Sequence, residues 1–414
     1  MANKTIVIGA GMVGVCVAWH LQQQGFDVTL IDKKAPGEET SFGNAGLIQR
    51  EAIFPYPMPR NMTEIMRILP NQSPDIRYRP LAMWHYRHAL WQYFVHSAPQ
   101  RFATIRQEWA SLIAHCTDAH ETMLQAAGAE QWVRKVGWLQ LHRHASSFEH
   151  AKQHVQNGKA WGVEARLLNP QDIAQLEPDL NSQVFVGGVH WQNAWQVTNP
   201  AALVKAYAAH FVSLGGTILQ DTVHSLHHQN QWHVHTQNER LTYEHAVIAA
   251  GPWSQDLLHT LGYEFPLFPI RGYHQHYTLK TGSVLNHSIV DEDSGFVLGP
   301  KQAGIRLTTG AEFTLMDAPI RMEQLHATET IARGLLPLEN ALETTPWLGH
   351  RPCLPDMKPI IGAAPKHPNL WLAFGHAHQG FTLGPITGLL LAQQMSGQDT
   401  LIDMQPFSAQ RFTA

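Results

Sequence analysis

The chain has 414 residues, enough for two or three domains of ordinary size, and 44% of them are hydrophobic against 15% charged. That balance excludes a disordered or collagen-like chain. A formal net charge of −4, with no run dense in Lys or Arg, leaves no electrostatic case for nucleic-acid binding.

Three cysteines, Cys16, Cys116 and Cys353, lie too far apart to build a disulfide framework or a thiolate metal site. They point to a reducing compartment, and a cytoplasmic location is expected. No run of about 18 consecutive apolar residues occurs, so no transmembrane helix is expected. A signal peptide is not expected either, because an apolar strand starts at Thr5 and leads into a functional motif. No internal repeat or low-complexity tract is present.

The first 32 residues carry that motif. Thr5-Ile6-Val7-Ile8 is a short β-branched run ended by Gly9-Ala10-Gly11-Met12-Val13-Gly14. A helical stretch then reaches Gln24, Gly25 stops it, and Val28-Thr29-Leu30-Ile31 reads as a second strand ending in Asp32. In such a unit the first glycine makes the tight turn, the second admits a pyrophosphate and the third lets helix and strand pack closely. The helix start presents free N–H groups and a positive dipole end to phosphates. Asp32, about 20 residues on, can accept ribose hydroxyls. A dinucleotide is expected here, and the fingerprint alone leaves NAD and FAD open.

Beyond Asp32, Thr40-Ser41-Phe42-Gly43-Asn44-Ala45-Gly46-Leu47 is rich in small residues that allow close approach to a flat ligand. The aromatic and basic stretch from Met83 to Phe94 is expected to form helices packed on a substrate domain, with peripheral contact at a bilayer as the alternative. Asn199-Pro200 predicts a helix start, with a helix from Ala201 to Leu214 and a strand at Thr217-Ile218-Leu219. Ala246-Val247-Ile248-Ala249-Ala250, ended by Gly251-Pro252-Trp253, reads as a buried parallel strand. Substrate-domain strands are expected near Tyr273 to Leu279, Gly295 to Leu298 and Ile305 to Thr309. The C-terminal block holds Gly349-His350-Arg351-Pro352, Pro355-Asp356, a strand at Leu370 to Phe374, a glycine-flanked turn and a helix from about Pro385 to Met395. It aims a second helix start at the same kind of target. The paired histidines His233/His235, His274/His276 and His376/His378 lack carboxylate or thiolate partners at ligand spacing, so no metal is expected.

Through these segments the chain resembles the FAD-dependent amine and amino-acid oxidoreductases of the glycine oxidase and D-amino-acid oxidase type. It is most similar to their bacterial D-amino-acid dehydrogenase small-subunit branch. The aromatic stretch from Leu81 to Phe102, with Trp84, Trp91 and Phe94, also resembles that branch. The resemblance implies an α/β fold: a Rossmann-like FAD-binding domain of the glutathione-reductase type with an α+β substrate domain on a mixed or antiparallel sheet. The expected boundaries are 1–50, 197–262 and 345–414 for the FAD-binding domain, and 51–196 and 263–344 for the substrate domain.

The resemblance implies FAD contacts at Gly9, Ala10, Gly11, Met12, Val13, Gly14, Asp32 and Lys33. Ser41, Asn44, Ala45 and Gly46 are implied beside the ribityl and ring, Val223 at the adenine, and Ala250, Gly251 and Trp253 near the pyrophosphate. Gly375, His376, Gly380, Phe381 and Thr382 are implied under the pyrimidine ring. It also implies that Arg351 clamps a substrate carboxylate, a task suited to a planar, permanently charged guanidinium. Tyr273 and Arg271, which alternation puts on one strand face, are candidates for the same site.

The expected activity is oxidative deamination of a D-amino acid: hydride passes from the α-carbon to flavin, and the imine hydrolyses to a 2-oxo acid and ammonia. Electrons then pass to quinone or another carrier, with possible peripheral contact at the inner membrane. The alternatives are an oxygen-using oxidase of glycine, sarcosine or proline-like amines, and a non-catalytic FAD-binding assembly factor. Fold analogy alone does not separate them.

Overall fold

The β-branched run at the start forms the strand Lys4–Ile8, buried at every position after Lys4. In the computed structural model, which describes residues 3–412, it lies at the centre of a six-stranded sheet. The strand order is Thr217–Gln220, Asp27–Asp32, Lys4–Ile8, His245–Ile248, Leu370–Phe374 and Ile360–Ala363. The first five are parallel and the last is antiparallel.

Alternation along the central strand explains why both faces are covered. Val7 packs in one core with Ala18 and Leu21 of the helix Met12–Gln23 and with Phe211 of the helix Pro200–Ser213. Ile6 and Ile8 point the other way, into a core with Trp232 and Val234. Those two belong to the three-stranded antiparallel sheet Val223–Gln229, Gln231–Thr236 and Arg240–Tyr243. The Asn199-Pro200 start behaves as its chemistry dictates: Asn199 Oδ1 accepts from the Ala202 N–H at 3.0 Å and Pro200 opens the helix.

The last helix spans Gly380–Met395 and starts five residues before Pro385, where the sequence predicts its beginning. Pro385 sits inside the helix and cannot donate to the carbonyl of Phe381. His120 takes over that carbonyl, with its Nε2 at 3.0 Å and its Nδ1 3.2 Å from the Tyr207 hydroxyl. Burial lowers the His120 pKa to about 4, so the ring is neutral and can donate from one nitrogen while accepting at the other.

This helix lies directly against the first one. A Cβ on Gly388 would stand 2.4 Å from the Cys16 carbonyl oxygen, and one on Gly384 would meet the Met12 side chain at 2.5 Å. The two ends of the chain are thereby neighbours, and both helix starts reach the same sheet edge.

The second unit is built on an eleven-stranded mixed sheet. The expected strands appear as Phe268–Leu279, Phe296–Lys301 and Gly304–Thr308. Trp347–Cys353, read from the sequence as part of the cofactor region, pairs along Phe268–Leu279 from Phe268 opposite Cys353 to His274 opposite Trp347. That strand holds Arg351 within the large sheet, opposite Ile270, where it lines the cavity.

Gly388→Ala should therefore lower the melting temperature, by an overpacking cost of about 1–3 kcal/mol against which a helix-propensity gain is smaller. Gly334→Ala is the control. It lies on the exposed face of the helix Glu323–Leu335 with open space around a Cβ, and should raise the melting temperature slightly. Equal shifts in thermal unfolding of the two variants would contradict the packing argument.

Candidate active site

The carboxyl ends of Lys4–Ile8, Asp27–Asp32, His245–Ile248 and Leu370–Phe374 share one edge, where ligands bind in open α/β sheets. A cavity of about 870 Å³ opens there and runs into the second unit.

At the sheet edge, Gly9 has φ +111° and touches the Ala249 carbonyl so closely that a Cβ would lie 2.4 Å from it. Gly14 backs onto the Gly9 carbonyl, where a Cβ would stand at 1.7 Å. Gly11 precedes the first helix without a side-chain cap. The Met12 N–H donates to Ser41 Oγ at 2.9 Å, while those of Val13 and Gly14 make no hydrogen bond among the described residues. Asp32 Oδ2 accepts from the Ala10 N–H at 2.7 Å and Oδ1 from the Lys34 N–H at 3.0 Å. Burial raises the Asp32 pKa, and these two bonds oppose the rise. Open N–H donors at a helix start, beside a fixed carboxylate, are the donor and acceptor set that a pyrophosphate and a ribose require. These residues fit a dinucleotide.

Most of the fingerprint and loop positions line the cavity: Gly9, Gly11, Met12, Val13, Asp32, Lys33, Ser41, Asn44 and Ala45. So do Val223, Ala250, Gly251, Trp253, His376, Gly380 and Phe381. Ala10, Gly14, Gly46, Gly375 and Thr382 stand behind that surface and shape it. Gly46 receives Asn44 Oδ1 on its N–H at 2.7 Å. Gly375 turns at φ +85° against Leu354, and Thr382 Oγ1 accepts from the Gln49 N–H at 3.3 Å. His376 is buried, with Nε2 2.9 Å from Thr387 Oγ1, and burial lowers its pKa to about 3.

At the far end of the cavity stands Arg351. Its Nη1 donates to the Gly310 carbonyl at 2.9 Å and its Nη2 to the Thr309 carbonyl at 3.2 Å. Gly272 makes room for it, since a Cβ there would lie 2.5 Å from Nη2. No carboxylate pairs with Arg351 among the described residues. Burial lowers its pKa from the usual guanidinium value, yet an arginine stays charged. Two of its five N–H donors are used and three remain.

Tyr273 reaches the cavity wall and donates from its hydroxyl to Glu312 Oε2 at 2.5 Å. Arg271 does not line the cavity. It is 1% exposed and donates to the carbonyls of Leu315, Met316, Ala318 and Pro319. The strand alternation does put Arg271 and Tyr273 on one face, but that face meets the 315–319 loop, which the guanidinium pins in place.

Three cavity residues escaped the sequence reading: Tyr56, Glu292 and His378. The Tyr56 ring meets His378 edge-on at 4.8 Å, and the Tyr93 hydroxyl donates to the Tyr56 carbonyl at 2.6 Å. Burial, then Arg351, lowers the His378 pKa to about 3. They come from separate segments without a local motif, and only the folded chain brings them together.

Beneath the cavity, Glu51 Oε1 accepts from Trp138 Nε1 at 2.9 Å and Gln49 Nε2 at 3.1 Å, while Oε2 is buried without a partner. Burial pushes its pKa up from 4.5 to about 7. Because the folded value is the higher one, the protonated acid stabilises the fold. That contribution is full below the unfolded pKa of 4.5 and disappears as pH rises through about 7. Wild type should lose up to about 3 kcal/mol of stability across that window from this group, and Glu51→Gln should remove that part of the slope in melting temperature against pH. An unchanged slope would show that Glu51 is ionised throughout.

Comparison with known proteins agrees with this geometry. The profile of the family described as FAD dependent oxidoreductase matches residues 4–394. A D-amino acid dehydrogenase of Chromohalobacter salexigens is 26% identical over 423 residues, covering 99% of this chain and 100% of the relative. A D-amino acid dehydrogenase of Neisseria meningitidis is 26% identical over 431 residues with the same coverage. Among solved structures, glycine oxidase from Geobacillus kaustophilus superposes with a TM-score of 0.75 at 21% identity, covering 98% of each chain. L-proline dehydrogenase from P. horikoshii gives 0.73 at 17% identity, covering 100% of this chain and 98% of the other. These two likenesses show the fold. With the family profile spanning nearly the whole length and a cavity edge suited to a dinucleotide, the chain belongs to the FAD-dependent oxidoreductase family.

Proposed function

We propose that this protein is an FAD-dependent D-amino-acid dehydrogenase. The observation that carries the reading is Arg351, a half-buried guanidinium at the cavity wall with three unused donors and no carboxylate partner among the described residues. A partly desolvated cation without a counter-ion is completed most favourably by a ligand anion, and a planar fork suits a carboxylate. The names of the two 26%-identical relatives support a D-amino acid as substrate.

Bound FAD supplies the two-electron acceptor. Gly9, Gly11 and the open start of the first helix hold its phosphates, and Asp32 holds its ribose. Arg351 fixes the substrate carboxylate, which orients the α-carbon within the cavity. The carbonyls of Gly310 and Thr309 hold the guanidinium in place, so little side-chain freedom is lost on binding. His376 and His378 stay neutral at physiological pH, since burial keeps both pKa values near 3. They therefore add no competing positive charge. The substrate enters as the neutral amine, the α-hydrogen leaves as hydride, and the nitrogen lone pair closes the C=N bond. Water then converts the imine to a 2-oxo acid and ammonia. No protein base is required in this sequence.

A quinone or another carrier is the proposed electron acceptor, and a second observation favours contact with a bilayer. Met62, Met66, Leu69, Leu81, Trp84 and Trp91 are 57–70% exposed. Residues 58–101, which contain them, hold six arginines against two carboxylates in a chain whose net charge is −4. Apolar side chains among cations suit an anionic membrane surface. No helix among the described residues is long and apolar enough to cross a membrane.

Anaerobic mixing with D-amino acids should bleach the bound flavin, and a quinone analogue should reoxidise it faster than air does. Bleaching by no amino acid would favour an assembly factor, while rapid reoxidation by air would favour an oxidase. Arg351→Leu should raise the apparent substrate constant by about a hundredfold or more with FAD still bound. Unchanged affinity would remove Arg351 from the site. For the membrane, the protein should sediment with vesicles containing phosphatidylserine and not with phosphatidylcholine alone. Trp84→Ser with Trp91→Ser should abolish that binding, and equal sedimentation with both lipids would contradict the charge argument.

A further inference from the structure

The cavity holds a second fixed charge, which the proposed reaction leaves unused. Glu292 follows the strand Ile289–Asp291 and lines the cavity. The carboxylates around it are already satisfied. Asp291 pairs with Arg143 at 2.7 Å, and Asp75 pairs with Arg67 at 2.7 Å. Asp293 accepts from the Arg143 and His144 N–H groups and from Ser147 Oγ.

Glu292 has no cationic partner among the described residues. Its Oε2 accepts from Gln140 Nε2 at 2.8 Å, and Gln140 Oε1 in turn accepts from Trp191 Nε1 at 3.0 Å. This relay fixes the carboxylate, and its Oε1 accepts no hydrogen bond among the described residues. Burial raises the Glu292 pKa. A half-buried, cavity-lining carboxylate without a counter-ion is completed most favourably by a cation that arrives with a ligand.

Glu292 and Arg351 line the same cavity, and neither forms an ion pair with the other or with any other side chain among the described residues. A Cβ on Gly310, whose carbonyl holds Arg351, would lie 2.9 Å from the carbonyl of Gly295, three residues beyond Glu292. The α-amine reacts in its neutral form, so a cation that completes Glu292 has to stand elsewhere on the ligand, on its side chain.

We infer that Glu292 is a specificity-determining residue that receives the cationic end of the substrate side chain, so that the preferred substrates are basic amino acids. This rests on the reading of Arg351 as the partner of the substrate carboxylate. Once the carboxylate is seated there, Glu292 takes the distal ammonium or guanidinium in a charge-assisted hydrogen bond.

D-Lysine and D-norleucine share the same carbon skeleton and differ in the terminal ammonium, so anaerobic reduction of the holoenzyme by each reads Glu292 directly. D-Lysine should be preferred in kcat/KM by at least about tenfold. Glu292→Gln should bring the ratio of the two kcat/KM values close to one, and Glu292→Asp should restore part of it. The wild-type ratio needs no variant, so a variant that failed to fold would leave the test intact. A wild-type preference for D-norleucine, or a ratio that Glu292→Gln leaves unchanged, would overturn the inference while the proposed dehydrogenase reading stood. Failure of D-lysine, D-norleucine and D-alanine alike to reduce the flavin would instead sink that reading and this inference with it.

Discussion

The contact between the first and last helices is the constraint on which the rest of this structure depends. Gly384 and Gly388 let the helix Gly380–Met395 lie directly against the Met12 side chain and the Cys16 backbone. That close approach brings two helix starts, separated by nearly the whole chain, to one edge of the parallel sheet. A phosphate-bearing ligand then meets donors from the beginning of the sequence and a glycine-flanked turn from its end. The helix carries its proline without a break because His120, from a third helix, takes the carbonyl that Pro385 leaves free.

Beyond that edge the cavity changes character. At the sheet it offers backbone N–H groups and the Asp32 carboxylate, a pattern shared by many dinucleotide sites. In the second unit it offers isolated charges in a buried wall. Arg351 is held by two carbonyls and Glu292 by one amide. Neighbouring charges, Asp291, Asp75 and Glu312, are neutralised by arginines. The imidazoles close to the cavity are kept neutral by burial. Fixed positive charge at this end of the cavity is thus concentrated, among the described residues, on one guanidinium.

What could be read from the sequence was local. The turn Gly9 to Gly14, the strand ending at Asp32 and the Asn199-Pro200 start each carry their physical reason within a few neighbouring residues, and the structure places them accordingly. Pro385 misled because proline favours the first turn of a helix, and its carbonyl rescue comes from a residue more than 250 positions away. Arg271 misled because alternation gives the face of a strand but not what covers that face. Tyr56 and Glu292 had no motif to announce them, and His378 stood out only as one of a histidine pair. Their chemistry arises only when the large sheet, the loop before the second helical region and the turn before the last helix close around one space.

Spectrophotometric titration of the apoprotein with FAD, on wild type and on Gly388→Leu, tests the helix contact directly. One tightly bound FAD per wild-type chain is expected, with loss of most of that binding when a bulky side chain separates the two helices. A wild-type protein that takes up no FAD, or a folded Gly388→Leu variant that binds it with undiminished affinity, would contradict the claim that the paired chain ends build the cofactor site.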